Sequence, residues 1–355
     1  MNPVQLLDLT QEELRSLLAS WGEPGYRADQ IWGWLYRRFA AAPEEMTDLP
    51  RSLRARLAAE TRLEPLTPMT RLDSSDGQTR KTLFALPPDG SQIEAVLMRY
   101  ERRRTLCIST QAGCAMGCPF CATGQGGFAR NLTAGEIVAQ VLFYARILAE
   151  QEQRVTNVVL MGMGEPLANY AATWAAIQRL NDPAGFGLGA RAITLSTVGL
   201  VPGIRRMSRE PEQVGLAVSL HAATDELRNQ LVPINRRYPL QELMQACRDY
   251  MAATRRRISF EYALMEGIND SEEQAHQLAD LVGTGLTHVN LIPLNPTADS
   301  PYQGSSATRV RAFRDALQLR NVPTTLRLRR GIDIQAGCGQ LRAHYNLEKG
   351  PSSEA

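Results

Sequence analysis

The feature that most restricts the fold is a regular alternation of short apolar runs with amphipathic stretches, starting near Thr105 and continuing almost to the C-terminus. Seven runs have strand character: TLCIS, VTNVVLM, ARAITLS, QVGLAVSL, RISFEYAL, THVNLIPL and TTLRLR. Between them, LTAGEIVAQVLFYARILAE, NYAATWAAIQRL, PLQELMQACRDYMAA, SEEQAHQLADLV and ATRVRAFRDALQL repeat apolar residues at helical spacing. The first of these helices follows a capping box of Thr133 and Glu136. Strands alternating with helices build a parallel sheet covered by helices. Six or seven such units predict an α/β fold, an incomplete (β/α)6-type barrel open enough to admit a large substrate.

Two smaller regions precede it. Residues 1–65 read as helices, with Thr10 and Glu13 boxing LRSLLASW and with RADQIWGWLYRRF setting Trp32, Trp34, Tyr36 and Phe39 beside Arg37 and Arg38. An aromatic stripe on a helix is usually core, but aromatics interleaved with arginines also suit stacking on RNA. From 66 to 104 the pattern changes to alternating strands separated by SSDG and PPDG turns, a β-hairpin segment. The expected organisation is a helical accessory domain (1–65), a β-hairpin linker (66–104), the partial barrel (105–345) and a disordered tail (346–355).

With 44% hydrophobic and 21% charged residues, the chain is composed like a globular protein, which excludes the disordered and fibrous classes. No stretch has the length or apolarity of a membrane span, and no basic leader precedes an apolar one, so a cytoplasmic location is expected. In that reducing compartment the six cysteines are ligands, catalytic thiols or buried apolar groups rather than a disulfide framework. A net charge of +2 does not announce a nucleic-acid partner. Arginine runs at 102–104, at 255–257 and at Arg327, Arg329 and Arg330 would suit phosphate. Lysine occurs only at Lys81 and Lys349, however, so arginine also reads as the ordinary surface cation of this chain.

Directly after the first barrel strand, CISTQAGCAMGCPFCATG places Cys114, Cys118 and Cys121 at C-x3-C-x2-C spacing. Three thiolates within eight residues can wrap one cubane 4Fe-4S cluster and leave one iron open to a small molecule. Structural zinc would prefer two paired knuckles, and the chain has no second pair. Reactive groups of such a barrel belong at the C-terminal ends of its strands. MGMGEPL follows the second strand and offers Gly164 and Glu165; Ser196 ends the third strand, Ser219 and His221 the fourth, and Asn295 the sixth. Leu167 stands where a dinucleotide loop would need its third glycine. Two cysteines lie outside the loop: Cys107, seven residues before it, and Cys338 in AGCGQL, where it could return to the same rim. Cys247, at helical spacing from Leu240, Leu243, Met244, Tyr250 and Met251, reads as core.

The cysteine loop resembles the signature of the radical S-adenosylmethionine superfamily. With Cys107, Cys338 and the helical N-terminal segment, the chain is similar over nearly its whole length to adenine methyltransferases acting on 23S ribosomal RNA. The resemblance implies a 4Fe-4S cluster on Cys114, Cys118 and Cys121 whose open iron chelates S-adenosylmethionine. It implies that Gly164 and Glu165 receive the methionine amino group, and that Ser196, Ser219, His221 and Asn295 line the rest of that pocket. Two molecules of S-adenosylmethionine per turnover are implied, one to methylate Cys338 and one to convert that methyl group into a radical that adds to the adenine. Cys107 is then expected to remove a proton, leaving a disulfide with Cys338 that a reductant reopens, while Glu94 holds the base edge. The implied product is an adenine methylated at C2 in 23S ribosomal RNA, of the adenine-2503 type, with adenine-37 of transfer RNA as a second target. A sister activity at C8, associated with antibiotic resistance, shares the cluster, the thiols and the mechanism. The implied partners are these RNAs and an electron donor such as flavodoxin or ferredoxin, acting on a monomer with no membrane contact. The helical N-terminal domain and the arginine runs would position the RNA, whose target base must be unpaired or extruded.

Overall fold

The structure is a computed structural model that describes residues 3–87, 89–295, 297 and 300–341; the expected tail at 346–355 lies outside the described residues. The N-terminal unit carries α1 (Gln11–Ser20), α2 (Tyr26–Tyr36) and α3 (Arg51–Glu60), with Val4–Gln5 paired to Thr61–Arg62. The capping box is realised, since the Thr10 hydroxyl accepts from Glu13 N–H while the Glu13 carboxylate accepts from Thr10 N–H. α2 carries Trp32, Trp34 and Tyr36 and ends there, and beyond its end Phe39 takes a left-handed backbone, with φ 58. Trp32 and Tyr36 are buried, so this part of the stripe is core. Trp32 Nε1 donates to Asp182 at 2.8 Å and Arg37 to the Pro183 carbonyl at 2.8 Å, which fastens the helical unit to the rest of the molecule. Trp34 is only partly buried and carries the Arg38 guanidinium 4.1 Å above its ring.

Three strands, β1 (Thr67–Asp73), β2 (Thr79–Leu86) and β3 (Ser91–Arg99), run antiparallel into β4 (Arg104–Cys107). From β4 the chain alternates through α4 (Ala134–Ala149), β5 (Asn157–Leu160), α5 (Tyr170–Asn181), β6 (Ile193–Thr197), α6 (Val201–Met207) and β7 (Gly215–Ser219). It continues with α7 (Asp225–Leu231), α8 (Leu240–Thr254), β8 (Ile258–Leu264), α9 (Glu272–Val282), β9 (Thr287–Pro293), α10 (Ala307–Leu319) and β10 (Thr324–Leu326). All ten strands lie in one sheet in their order along the chain, and β4 to β10 are parallel. The α/β expectation holds, and among the described residues β1 and β10 do not pair, so the sheet stays open. The hairpin segment continues this sheet: β3 pairs with β4 on the side opposite β5.

α4 shows why the pieces cohere. Its Thr133–Glu136 box forms, and Ile137, Val138, Val141, Leu142, Tyr144, Ala145 and Leu148 are all buried. A helix apolar on most sides is one covered on most sides. The Tyr144 hydroxyl reaches the sheet, where it meets the Thr82 hydroxyl at 2.8 Å, while Gly135 N–H donates to Asp8 of the N-terminal unit at 2.7 Å. Each large apolar side chain buried here contributes about 1.5–3 kcal/mol.

Candidate active site

The cysteine loop is held by local pairing. A short ribbon of Gln111–Gly113 against Phe128–Asn131 encloses it, Cys114 N–H donates to Gly127 O at 2.7 Å, and a one-turn helix starts at Ala122 directly after Cys121. Cys118 is buried and its two partners are half-buried. Burial pushes the Cys114 thiol up to about 12 and the Cys118 thiol up as well, with neighbouring thiols acting in the same direction. Thiolates in such surroundings need a compensating cation. Three thiols with no second pair of knuckles suit a cubane with one iron left open better than a four-ligand zinc site.

Beside the loop, at the C-terminal ends of β5 to β9, lies a cavity of about 860 Å³, the open solvent at its mouth included. Cys118 and Cys121 form one wall, and Gly164, Glu165, Ser196, Ser219, His221 and Asn295 all line it; Cys114 does not. MGMGEPL reaches this position because two glycines let it lie against the segment after β4. An added Cβ would meet Ile108 O at 2.6 Å from Gly162 and Gln111 Cβ at 2.5 Å from Gly164. Glu165 follows, with its carboxylate accepting from Leu167 N–H at 3.0 Å and Val198 N–H at 2.8 Å. Burial raises its pKa to about 7, and those backbone donors oppose the rise.

His221 holds a left-handed backbone (φ 61), and its Nδ1 accepts from Ala263 N–H at 3.0 Å. Burial lowers its pKa to about 3, with Arg228 acting in the same direction, so the ring is neutral and its Nε2–H remains a donor. The Ser196 and Ser219 hydroxyls stand 3.4 Å apart. Asn295 donates through Nδ2 to Cys338 O at 3.3 Å, while its buried Oδ1 has no partner among the described residues. An orphaned acceptor, paired hydroxyls and a buried carboxylate suit an amino-acid nucleoside such as S-adenosylmethionine.

A second cavity, of about 590 Å³, adjoins the first. Cys107, Tyr100, Met98 and Leu328 line it, and it shares Met161, Ile292, Asn295, Arg327 and Cys338 with its neighbour. Cys338 thus sits in the wall between the two. Cys107 ends β4, where burial pushes its thiol up to about 12; Cys338 adds to the rise and Arg327 opposes it. Arg327 approaches Glu261 Oε2 at 3.6 Å, and its pKa is raised, first by Cys338 and then by Glu261 and Cys107. No two described cysteines lie at bonding distance, so the disulfide expected between Cys107 and Cys338 is not supported; both are free thiols. Glu94 lies behind this wall, fully buried, with Lys81 Nζ 2.9 Å from its carboxylate; it lines neither cavity.

Sequence reasoning placed Arg327 in a surface run, whereas it belongs to the wall between the cavities. The strand-end rule, applied to the seventh run, would have found it. Glu261 was also missed, although a lone acid inside RISFEYAL is a signal. Nothing in DELRNQL marked Arg228, which is fully buried and donates to Val198 O at 2.7 Å, Ser219 O at 3.2 Å, Leu220 O at 3.0 Å and Asn235 Oδ1 at 2.7 Å. It ties the ends of β6 and β7 together beneath the first cavity.

Known proteins share this sequence pattern and fold. The family model for the ribosomal RNA large subunit methyltransferase N-terminal domain matches residues 4–63, and that of the radical SAM superfamily matches residues 108–279. Dual-specificity RNA methyltransferase RlmN 1 of Myxococcus xanthus is 53% identical over 338 residues, covering 95% of this chain and 94% of its own. A probable dual-specificity RNA methyltransferase RlmN of a Parafrankia species is 52% identical over 355 residues, covering 96% of this chain and 92% of its own. The crystal structure of a radical SAM methyltransferase from Sphaerobacter thermophilus superimposes with a TM-score of 0.94 at 53% identity, over 96% of this chain and 100% of that one. Half the residues are identical over nearly the full length of both chains, and the fold is the same: the chain belongs to the RlmN family of radical SAM enzymes.

Proposed function

We propose that this protein methylates C2 of an adenine in 23S ribosomal RNA, at a position of the adenine-2503 type, and C2 of adenine-37 in transfer RNA. The names of its relatives, dual-specificity RNA methyltransferases, support RNA as the substrate. The observation that carries the reading is the position of Cys338 between two cavities, one walled by the cysteine loop and the other by Cys107. A ring carbon of adenine is a poor nucleophile, so direct polar transfer from a sulfonium is unworkable. A thiol that collects carbon on one side and delivers it on the other answers that difficulty.

When bound, the cluster supplies the electron, and S-adenosylmethionine supplies both the methyl carbon and the hydrogen-abstracting group, two molecules per turnover. Cys114, Cys118 and Cys121 hold the cluster. Glu165 receives the ammonium on a carboxylate fixed by two backbone N–H groups. Ser196 and Ser219 offer hydroxyls to the sugar, Asn295 offers its free Oδ1, and neutral His221 donates from Nε2. Cys338 carries the carbon at Sγ. Cys107 is protonated at rest, so it takes the proton from the attacked carbon only after losing its own, a loss the Arg327 charge favours. Its sulfur then attacks Cys338 Sγ, and the electron pair of the broken S–C bond leaves with the new methyl carbon. A reductant reopens the transient disulfide, which the resting structure does not hold. Glu94 reaches the base edge once the wall in front of it opens.

A base enters the second cavity only when unpaired or extruded. Arg103 and Arg330 flank the Tyr100 ring there, at 5.0 and 4.4 Å, and suit phosphate; residues 1–65 add further RNA contacts. The reading includes a cytoplasmic monomer fed by flavodoxin or ferredoxin. No helix of the described residues is long and apolar enough to cross a membrane. The test is nucleoside mass spectrometry of ribosomal and transfer RNA treated with reconstituted enzyme. We expect 2-methyladenosine; 8-methyladenosine would replace the regiochemistry, and unmodified RNA would overturn the reading.

A further inference from the structure

The loop 331–341, which carries Cys338, has no helix or strand of its own and depends on ties to other elements. On the cluster side Ala122 N–H donates to Gly339 O at 2.8 Å and Thr123 Oγ1 to Leu341 O at 2.7 Å. On the far side Ser75 N–H donates to Asp333 Oδ2 at 2.7 Å, and Gly331 packs so closely on β2 that an added Cβ would fall 2.8 Å from Thr79 Cγ2. Next to Thr79 on the same strand, but one residue removed, is Lys81. Its Nζ donates to Gln335 O at 3.2 Å and pairs with Glu94 Oε1 at 2.9 Å, and neither charged side chain is more than 4% exposed.

A buried ion pair is a poor source of stability, because desolvation offsets most of the attraction; two apolar side chains would serve β2 and β3 at least as well. What an apolar pair cannot do is donate to a loop carbonyl. The loop also holds Gln335 in a left-handed backbone (φ 52), which a non-glycine residue keeps only when its surroundings over-determine it. We propose that Lys81 is a positioning residue: braced by Glu94, it grips the Gln335 carbonyl and so sets the Cys338 thiol in the wall between the two cavities. Its catalytic consequence rests on the reading of Cys338 as carbon carrier; the grip itself does not.

The test is hydrogen–deuterium exchange of the holoenzyme under anaerobic conditions, read by mass spectrometry beside RNA methylation. Lys81→Met is expected to speed exchange of the 331–341 amides by about tenfold, the loss of one charge-assisted hydrogen bond. Exchange in β7, β8 and α8 should stay unchanged. RNA methylation should fall by up to about 100-fold, the cost of misplacing a reacting group, with S-adenosylmethionine affinity unaltered. Unchanged exchange in 331–341, or an equal rise in β7 and β8, would overturn the proposal. Should Lys81→Met not fold, Lys81→Gln keeps a donor without the charge. A smaller rise confined to the loop is expected there, and no rise overturns the idea. Persistent methylation by Cys338→Ala would instead sink the carrier reading and leave the exchange result standing.

Discussion

The two cavities are built by opposite means. Around the first, polar groups stand at the ends of β5 to β9 and are fixed by backbone donors that belong to neighbouring strands: Val198 N–H for Glu165, Ala263 N–H for His221. The second is walled in part by an irregular loop, and its reactive groups are two thiols and the Arg327 guanidinium, whose charge acts on both. Rigid strand ends suit a site that binds one small molecule in one pose. A loop suits a group that must face first one side and then the other.

The largest effect that bears on this contrast comes from the wall itself. Cys338→Ala is expected to abolish RNA methylation while leaving S-adenosylmethionine binding intact, as measured by nucleoside analysis and by equilibrium binding; loss of binding as well would mean that the two cavities are not functionally separate. A smaller effect should follow on the rigid side. Glu165→Gln removes a charge that the backbone holds in place and should weaken S-adenosylmethionine binding by about tenfold to hundredfold, the range for one charge-assisted contact. An affinity within twofold of the parent would take Glu165 out of the ligand's reach.

A further test concerns pH. Burial raises the Cys107 thiol to about 12, so at neutral pH it is protonated and the reactive thiolate is scarce. Its alkylation rate, followed by peptide mass spectrometry, should climb about tenfold per pH unit from 7 to 10 without levelling. A plateau near pH 9 would show that Arg327 outweighs burial.

Much of this was legible in the chain. The seven parallel strands are short apolar runs separated, except between β6 and β7, by long amphipathic helices, and that contrast survives in a single sequence. α6 and α7 were missed, because seven residues, with Pro202 and Gly203 in one and mostly polar groups in the other, are too few to show a period. The register of β3 on β4 was also invisible, since a hairpin's sequence does not say which further strand it meets. At the site, the cysteine loop and MGMGEPL are contiguous and could be read directly, and strand ends gave Ser196, Ser219, His221 and Asn295. The Lys81–Glu94 pair spans a turn, and the placement of Cys338 depends on contacts made more than two hundred residues away in sequence, such as Thr123 with Leu341. Long-range proximity of that kind leaves no periodic trace.

Each strand of the ten lies beside its predecessor in the chain. A ribosome releasing this polypeptide therefore hands every new strand a waiting edge, and the sheet can grow during synthesis without threading a late segment between early ones. The exception is the stretch after β10, which must travel back to Ser75, Lys81 and Ala122 to find its seats. Assembly of the scaffold and arrival of the working thiol are thus separate events in the life of the molecule, with the thiol coming last.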